Sequence, residues 1–189
     1  MNVELINFMN DEDAIVKYAR ICYGREDTDN KEGLLKTLMR NGHTSVFEHS
    51  VFTFKVTCPI FTARQWMRHR IGSFTEKSLR YTTESEFYTP KFSTTEKMEL
   101  YKSYMRLVET TYKLFLESET KENARSLLPL GMMTQFYWTV NARSLMNFLK
   151  LRLDKHAQKE IRDLANIVLD KFRECMPITC RLFEEELDN

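Results

Sequence analysis

The chain is short of the residues that punctuate structure. Five glycines and four prolines in 189 residues are too few for a sandwich or barrel assembled from many short strands and tight turns. Long elements are expected instead. No apolar run approaches the ~20 residues that a membrane span needs. The first residues include Glu4, Asp11, Glu12 and Asp13, which is not the basic-then-apolar layout of a signal peptide. A cytoplasmic protein is therefore expected. Net charge is scarce as well: 28 basic against 27 acidic residues leave +1. No global field draws the chain to nucleic acid or to a membrane surface, and any electrostatic function must be local. The four cysteines, Cys22, Cys58, Cys175 and Cys180, form no CxxC pair and make no zinc spacing with the histidines. Reduced, partly buried thiols and no bound metal are expected. A GxxxxGK[ST] loop and a GxGxxG turn are both lacking, and no GxSxG elbow surrounds Ser73 or Ser78. P-loop, Rossmann and serine-hydrolase chemistry are not indicated.

What is present reads as one domain over residues 1–189, with 42% apolar and 29% charged residues. Residues 2–9 alternate weakly and suggest a strand. Asp11 can cap a helix whose apolar stripe runs through Ile15, Ala19 and Cys22. A polar loop over 24–30 precedes a helix capped by Asp29 or Asn30, which carries Leu34, Leu35, Leu38 and Met39 and is stopped by Asn41-Gly42. Residues 46–58 alternate as a strand, with Phe52, Phe54 and Val56 in one phase. Pro59 suits the start of a helix reaching about Arg70 and ended by Gly72; the segment on to Tyr81 then reads as a loop. Thr94 or Thr95 opens a long helix with Tyr101, Tyr104, Met105, Val108, Tyr112 and Phe115 in one stripe. Thr120 opens another helix, 132–140 reads as a buried strand and 141–153 as a helix. Ile161, Leu164, Ala165, Val168, Leu169 and Phe172 make a clean amphipathic pattern, and the acidic tail 184–189 is expected to fray.

The chemistry concentrates in residues 64–81. Arg64, Arg68, Arg70, Lys77 and Arg80 face a single acid, Glu76, with His69 between two arginines and with Trp66, Phe74 and Tyr81 as flat rings. Guanidinium forks match phosphate and carboxylate oxygens, so a phosphorylated, planar ligand is indicated. A single-stranded nucleic acid gripped by stacking and phosphate contact is the competing reading, although the basic residues form one cluster and no long stripe. Further on, Arg143 and Asn147 share a helix face, as do Arg152 and His156 if the helix continues. Asparagine amides donate and accept together, which suits a heterocycle edge. His43 and His49 in Gly42-His43-Thr44-Ser45-Val46-Phe47-Glu48-His49 have neither helical nor zinc spacing.

The run Arg68-His69-Arg70, seven residues, then Ser78, closed by Arg80-Tyr81, resembles the signature of the flavin-dependent thymidylate synthases. The similarity extends through Gly42-His43, Phe47-Glu48-His49, residues 59–66, Glu86-Phe87-Tyr88, Leu128-Pro129-Leu130, residues 138–149, Arg152 and His156-Ala157-Gln158. It implies an α+β subunit with a mainly antiparallel sheet flanked by long helices, assembled as a homotetramer whose active sites lie where subunits meet. It implies reductive methylation of dUMP to dTMP, with 5,10-methylenetetrahydrofolate as carbon donor and FAD reduced by NADPH, and no enzyme cysteine attached to uracil. By this resemblance Gln65, Trp66, Met67, Arg68, Glu76, Lys77, Ser78, Leu79, Arg80 and Arg125 bind dUMP, and Arg152 is the catalytic cation at the pyrimidine edge. FAD falls to His43, Ser45, Arg68, His69, Arg70, Glu76, Asn141, Arg143, Asn147 and His156. Thr75 stands where many members have Asn, and Leu79 where some have Gly, which raises the question of a positive φ in the phosphate loop. A catalytically inactive module on the same scaffold, binding nucleotide or single-strand RNA, is the alternative.

Overall fold

In a computed structural model, residues 1–24 and 30–187 can be described. Four strands, β1 (Asn2–Met9), β2 (Val51–Pro59), β3 (Ser73–Glu76) and β4 (Met133–Asn141), form one antiparallel sheet in the order β1-β2-β4-β3. The period of two along β2 and β4 sets its faces. Phe52, Phe54, Val56, Phe136, Trp138 and Val140 point one way and are buried. Thr53, Lys55, Thr57, Gln135, Tyr137 and Thr139 take the other face. Helices α6 (Ala142–Arg152), α7 (Lys159–Cys175) and α8 (Pro177–Leu187) cover the apolar face through Leu145, Phe148, Leu164, Val168, Phe172 and Leu182. The aromatic centre is tight: Trp66 meets Trp138 edge-on at 5.3 Å and Phe148 at 4.6 Å.

Several helix starts follow the side chains that cap them. Asp11 accepts from Asp13 and Ala14 at α1 (Glu12–Arg20), and Asn30 accepts from Gly33 at α2 (Lys31–Arg40). Thr94 accepts from Lys97 at α4 (Thr95–Ser118), and Thr120 accepts from Asn123 at α5 (Lys121–Ala124). Each supplies an acceptor to an otherwise orphaned N–H. Glu12 caps across the fold: the Thr179 N–H donates to its carboxylate at 2.5 Å, tying the chain's two ends together at the start of α8.

The fold departs from the sequence expectations at four places that matter. Residues 44–49 form a 3-10 turn, so β2 starts at Val51 and not at Val46. The helix after Pro59, α3 (Ile60–Trp66), stops four residues before Arg70. The Trp66 carbonyl takes the His69 N–H at 3.0 Å, which turns the chain back toward the sheet. Gly72 then passes so close to β4 that a Cβ there would sit 2.8 Å from Trp138 Nε1. That approach lets the serine-rich segment pair as edge strand β3, with Phe74 turned inward to stack on Trp138. Finally, α6 ends at Arg152, so Arg152 and His156 do not share a face.

Smaller differences occur elsewhere. Cys22 is exposed and leaves the α1 stripe. The tail is helical to Leu187, with Leu182 and Phe183 buried. In α4, Tyr104 and Phe115 are exposed while Met105, Val108 and Tyr112 are buried. The expected loop over 24–30 lies largely outside the described residues, as does the very end of the tail.

Candidate functional site

The first turn and one face of α6 form a wall of a cavity of about 700 Å³. Asn141 caps the helix by accepting the Ser144 N–H at 2.9 Å, which leaves its amide NH2 uncommitted by that bond. Asn141, Arg143, Ser144, Asn147, Leu151 and Arg152 line this wall. The opposite wall is the turn after α3, which presents Arg68, His69, Arg70 and Ile71. Glu48, from the 3-10 turn, also lines the cavity and pairs with Arg143 at 2.5 Å.

Arg152 is held in this cavity by two hydrogen bonds. Its Nε–H donates to His69 Nε2 at 2.9 Å and its Nη2–H donates to the Gln65 carbonyl at 3.0 Å. Gln65 lies in the last turn of α3, where carbonyls lack helical partners and a cation is favoured. Burial disfavours the protonated imidazole of His69, and the neighbouring Arg152 cation adds to this, so its pKa falls to about 4. At neutral pH His69 is uncharged, with Nε2 bare and the proton on Nδ1.

A second group gathers at the far end of β3. Glu76, Lys77, Thr75, Lys55, Gln135 and Tyr137 line a separate cavity of about 450 Å³. Glu76 accepts from Thr134 Oγ1 at 2.8 Å, and Lys77 pairs with Glu84. Beyond it, Ser78 Oγ accepts the Arg80 N–H at 3.3 Å. Arg80 pairs with Glu122 at 2.5 Å, and Lys121 donates to the Tyr81 carbonyl at 3.1 Å. These two contacts bring the Arg80 turn against α5, which runs straight into the 3-10 turn that carries Arg125.

Edge strand β3 separates the two groups. Ser73 pairs with Thr139 near the first cavity, and Glu76 pairs with Phe136 at the second. From Phe136 to Asn141 the strand covers about 17 Å. The arginine-rich segment therefore contributes Arg68–Arg70 to one end of the sheet and residues 76–80 to the other.

The sequence matches the family described as thymidylate synthase complementing protein over residues 4–178. It is 44% identical to the flavin-dependent thymidylate synthase of Thermosipho africanus, covering 96% of this chain and 90% of that protein. It is 45% identical to the one of Thermotoga neapolitana, covering 96% and 89%. The chain belongs to this family. Among solved structures, the UMP/dUMP methylase PolB from Streptomyces cacaoi with 5-Br dUMP bound superposes with a TM-score of 0.89 at 34% identity, covering 97% of this chain and 94% of that one. The same methylase with 5-Br UMP gives 0.84 at 32% identity.

Against the residues expected from the family signature, the first cavity collects Arg68, His69, Arg70, Asn141, Arg143, Asn147 and Arg152. Gln65 joins them through its carbonyl, while its side chain donates to Gln158 at 2.5 Å. Glu76 and Lys77 line the second cavity. Trp66 lies in the core with its ring fully buried, and Phe74 is partly buried against Phe136 and Trp138, so of the three flat rings only Tyr81 is exposed. Met67 packs partly on the same core. His43, Ser45 and His156 are exposed and line neither cavity.

Leu79 keeps a negative φ, since Asn10 is the one non-glycine residue with positive φ among the described residues. The replacement of Gly is thus unstrained. The thiols offer no activated nucleophile: burial pushes Cys58 and Cys180 up to about 12 and raises Cys175, and Cys22 lies outside both cavities. No cluster of metal-ligating side chains occurs among the described residues, and no described helix is long and apolar enough to cross a membrane.

Some lining residues were missed from the sequence. Ser144 and Leu151 lie seven apart on the α6 face that holds Asn147, so helical spacing alone could have found them. Glu48 reaches Arg143 from 95 residues away, and no local pattern announces that. Lys55 and Tyr137 become neighbours only through the β2–β4 register.

Proposed function

We propose that this protein is a flavin-dependent thymidylate synthase, which methylates dUMP to dTMP using 5,10-methylenetetrahydrofolate as carbon donor and NADPH as the source of electrons through FAD. The observation that carries this reading is the convergence of Arg68, His69, Arg70, Asn141, Arg143, Asn147 and Arg152 on one cavity in a chain of this family. The donor set suits a flavin dinucleotide. Arg68, Arg70 and Arg143 offer cations to a pyrophosphate, and the amides of Asn141 and Asn147 can meet a heterocycle edge. A volume of about 700 Å³ is of cofactor size. Bound there, the flavin supplies the redox chemistry that turns a methylene into a methyl group.

The chain's own residues do the rest. Ser78, the Leu79 and Arg80 backbone, the Arg80 guanidinium, Lys77 and Arg125 hold the dUMP phosphate. Glu76 repels an anion, so its carboxylate faces a sugar hydroxyl. Arg152 sits at the pyrimidine edge as a fixed cation, and there it stabilises the negative charge that builds on the ring as the uracil carbon becomes nucleophilic.

In this reading the two halves of the site come from different copies. The β3 spacing supports this, because Ser78 and Arg80 of one chain sit away from Arg152 of that chain. Helix α4 supports it as well. Leu100, Tyr104, Leu107 and Leu114 recur at four-, three- and seven-residue steps, and the three leucines are 72%, 62% and 60% exposed. They continue the buried Met105, Val108 and Tyr112 face, so the apolar arc is wider than one chain covers. The i,i+3 and i,i+4 ion pairs Lys102–Glu99 and Lys113–Glu109 keep to the remaining arc. A second copy on this arc, within a homotetramer, completes the helix and the site together.

A visible spectrum and a product assay test the assignment. Purified protein should show a flavin band, and dTMP should form only with dUMP, the folate donor, NADPH and FAD all present. A colourless protein that does not take up FAD, or one that binds oligonucleotides with a steep salt dependence, would overturn it.

A further inference from the structure

We infer that His69 is a positioning residue for Arg152: its neutral imidazole aims the guanidinium at the substrate without cancelling the charge. This deepens the function proposed above and rests on it. Arg152 has five N–H donors in a planar fork. The Nε–H goes to His69 Nε2 at 2.9 Å, and one Nη2–H goes to the Gln65 carbonyl at 3.0 Å. Those two hydrogens lie on one edge of the guanidinium. The end-on pair, Nη1 and the second Nη2 hydrogen, has no partner among the described residues, and Arg152 lines the cavity. A long, flexible side chain is thereby anchored by one edge and left with a bidentate face for ligand.

The chemistry of the anchor is the informative part. A carboxylate in the place of His69 would grip the guanidinium more strongly. It would also neutralise the cation that has to answer charge growing on the pyrimidine. Both anchors here, an imidazole nitrogen and a backbone carbonyl, are uncharged, so they orient Arg152 and leave its full charge for the ring. His69 is itself held. Its backbone N–H donates to the Trp66 carbonyl at 3.0 Å, and its ring stands edge-on to Phe148 at 4.9 Å. Burial and the Arg152 cation keep the imidazole unprotonated, which preserves the acceptor.

The test compares wild-type holoenzyme with H69A, H69Q, H69E, R152A and the H69A/R152A double variant. Flavin content, flavin reduction by NADPH and single-turnover methyl transfer are measured for each. H69A should slow methyl transfer about tenfold or more, with flavin reduction changed far less. H69Q, a neutral acceptor of similar reach, should recover most of the loss. H69E should not, although it can hold the same hydrogen bond. In the R152A background, H69A should cost nothing more, because a residue acting through another loses its effect with it. Additive losses in this cycle, or H69A and H69Q behaving alike, would overturn the inference. A wild-type enzyme that forms no dTMP would instead overturn the functional assignment.

Discussion

Arg152→Ala is expected to cut turnover by about 100-fold or more while leaving flavin content close to wild type. The expectation follows from where the guanidinium is held. Two neutral acceptors fix one edge of it, so in the proposed reaction its charge would be in place before the ring needs it, with no reorganisation required. In this reading the substitution removes a group that acts mainly as charge develops, and such losses fall on kcat more than on KM. Arg152→Lys should rescue little, because an ammonium cannot satisfy both anchors and still present a planar fork. Single-turnover kinetics at saturating dUMP, with the flavin absorbance as a control, checks this. Unchanged turnover would assign the role to another group.

Arg80→Ala is expected to act on binding. Its guanidinium is half-exposed and pairs with Glu122, so in this reading phosphate exchanges one anionic partner for another. Losing a charge-assisted bond of this type raises the dUMP KM by about 10- to 100-fold. Leaving Glu122 without its cation would add repulsion toward the phosphate. Flavin binding should not change, because Arg80 lies at the β3 end that leads away from the first cavity. Loss of flavin in this variant would show that the two halves of the arginine-rich segment do not divide their work as described. Titration of dUMP against the flavin spectrum distinguishes the outcomes.

Much of the fold was legible because it is written in local chemistry. Asp11, Thr94 and Thr120 announce helix starts, and Asn41-Gly42 marks a helix end that needs a positive φ at Gly42. Phe52, Phe54 and Val56 alternate over a strand long enough to be read. The errors fall where tertiary contact overrides the local pattern. Arg68 to Arg70 continue a plausible helix, yet the chain leaves it at Trp66 to bring Gly72 against Trp138. Strand β3 has four residues, too short for alternation to outweigh its serines. Phe74 and Trp66 look like ligand-stacking rings beside arginines, but the sheet needs them for its core.

The site was half legible for a related reason. Residue types and the family signature named most of the first cavity's lining. They also suggested that 64–81 is one cationic patch. Only the pairing of Ser73 with Thr139 and Glu76 with Phe136 reveals a connector between two patches. Helix α4 carries the same lesson. Its long apolar stripe was legible, but not that Leu100, Leu107 and Leu114 stay uncovered in a single chain, since helical periodicity does not say which part of an apolar arc a chain covers for itself.

The most direct test of this shared-site account is to combine two damaged chains. Arg152→Ala and Arg80→Ala variants are co-expressed with different tags, and hybrid oligomers carrying both are isolated and assayed for dTMP at dUMP concentrations well below the KM of Arg80→Ala, where each parent alone is nearly inactive. If each site draws Arg152 from one copy and Arg80 from another, random assembly leaves roughly a quarter of sites with both residues intact, and activity should return toward that fraction of wild type. Hybrids that form but stay as inactive as their parents would place both residues in a single chain's site, and would contradict the account.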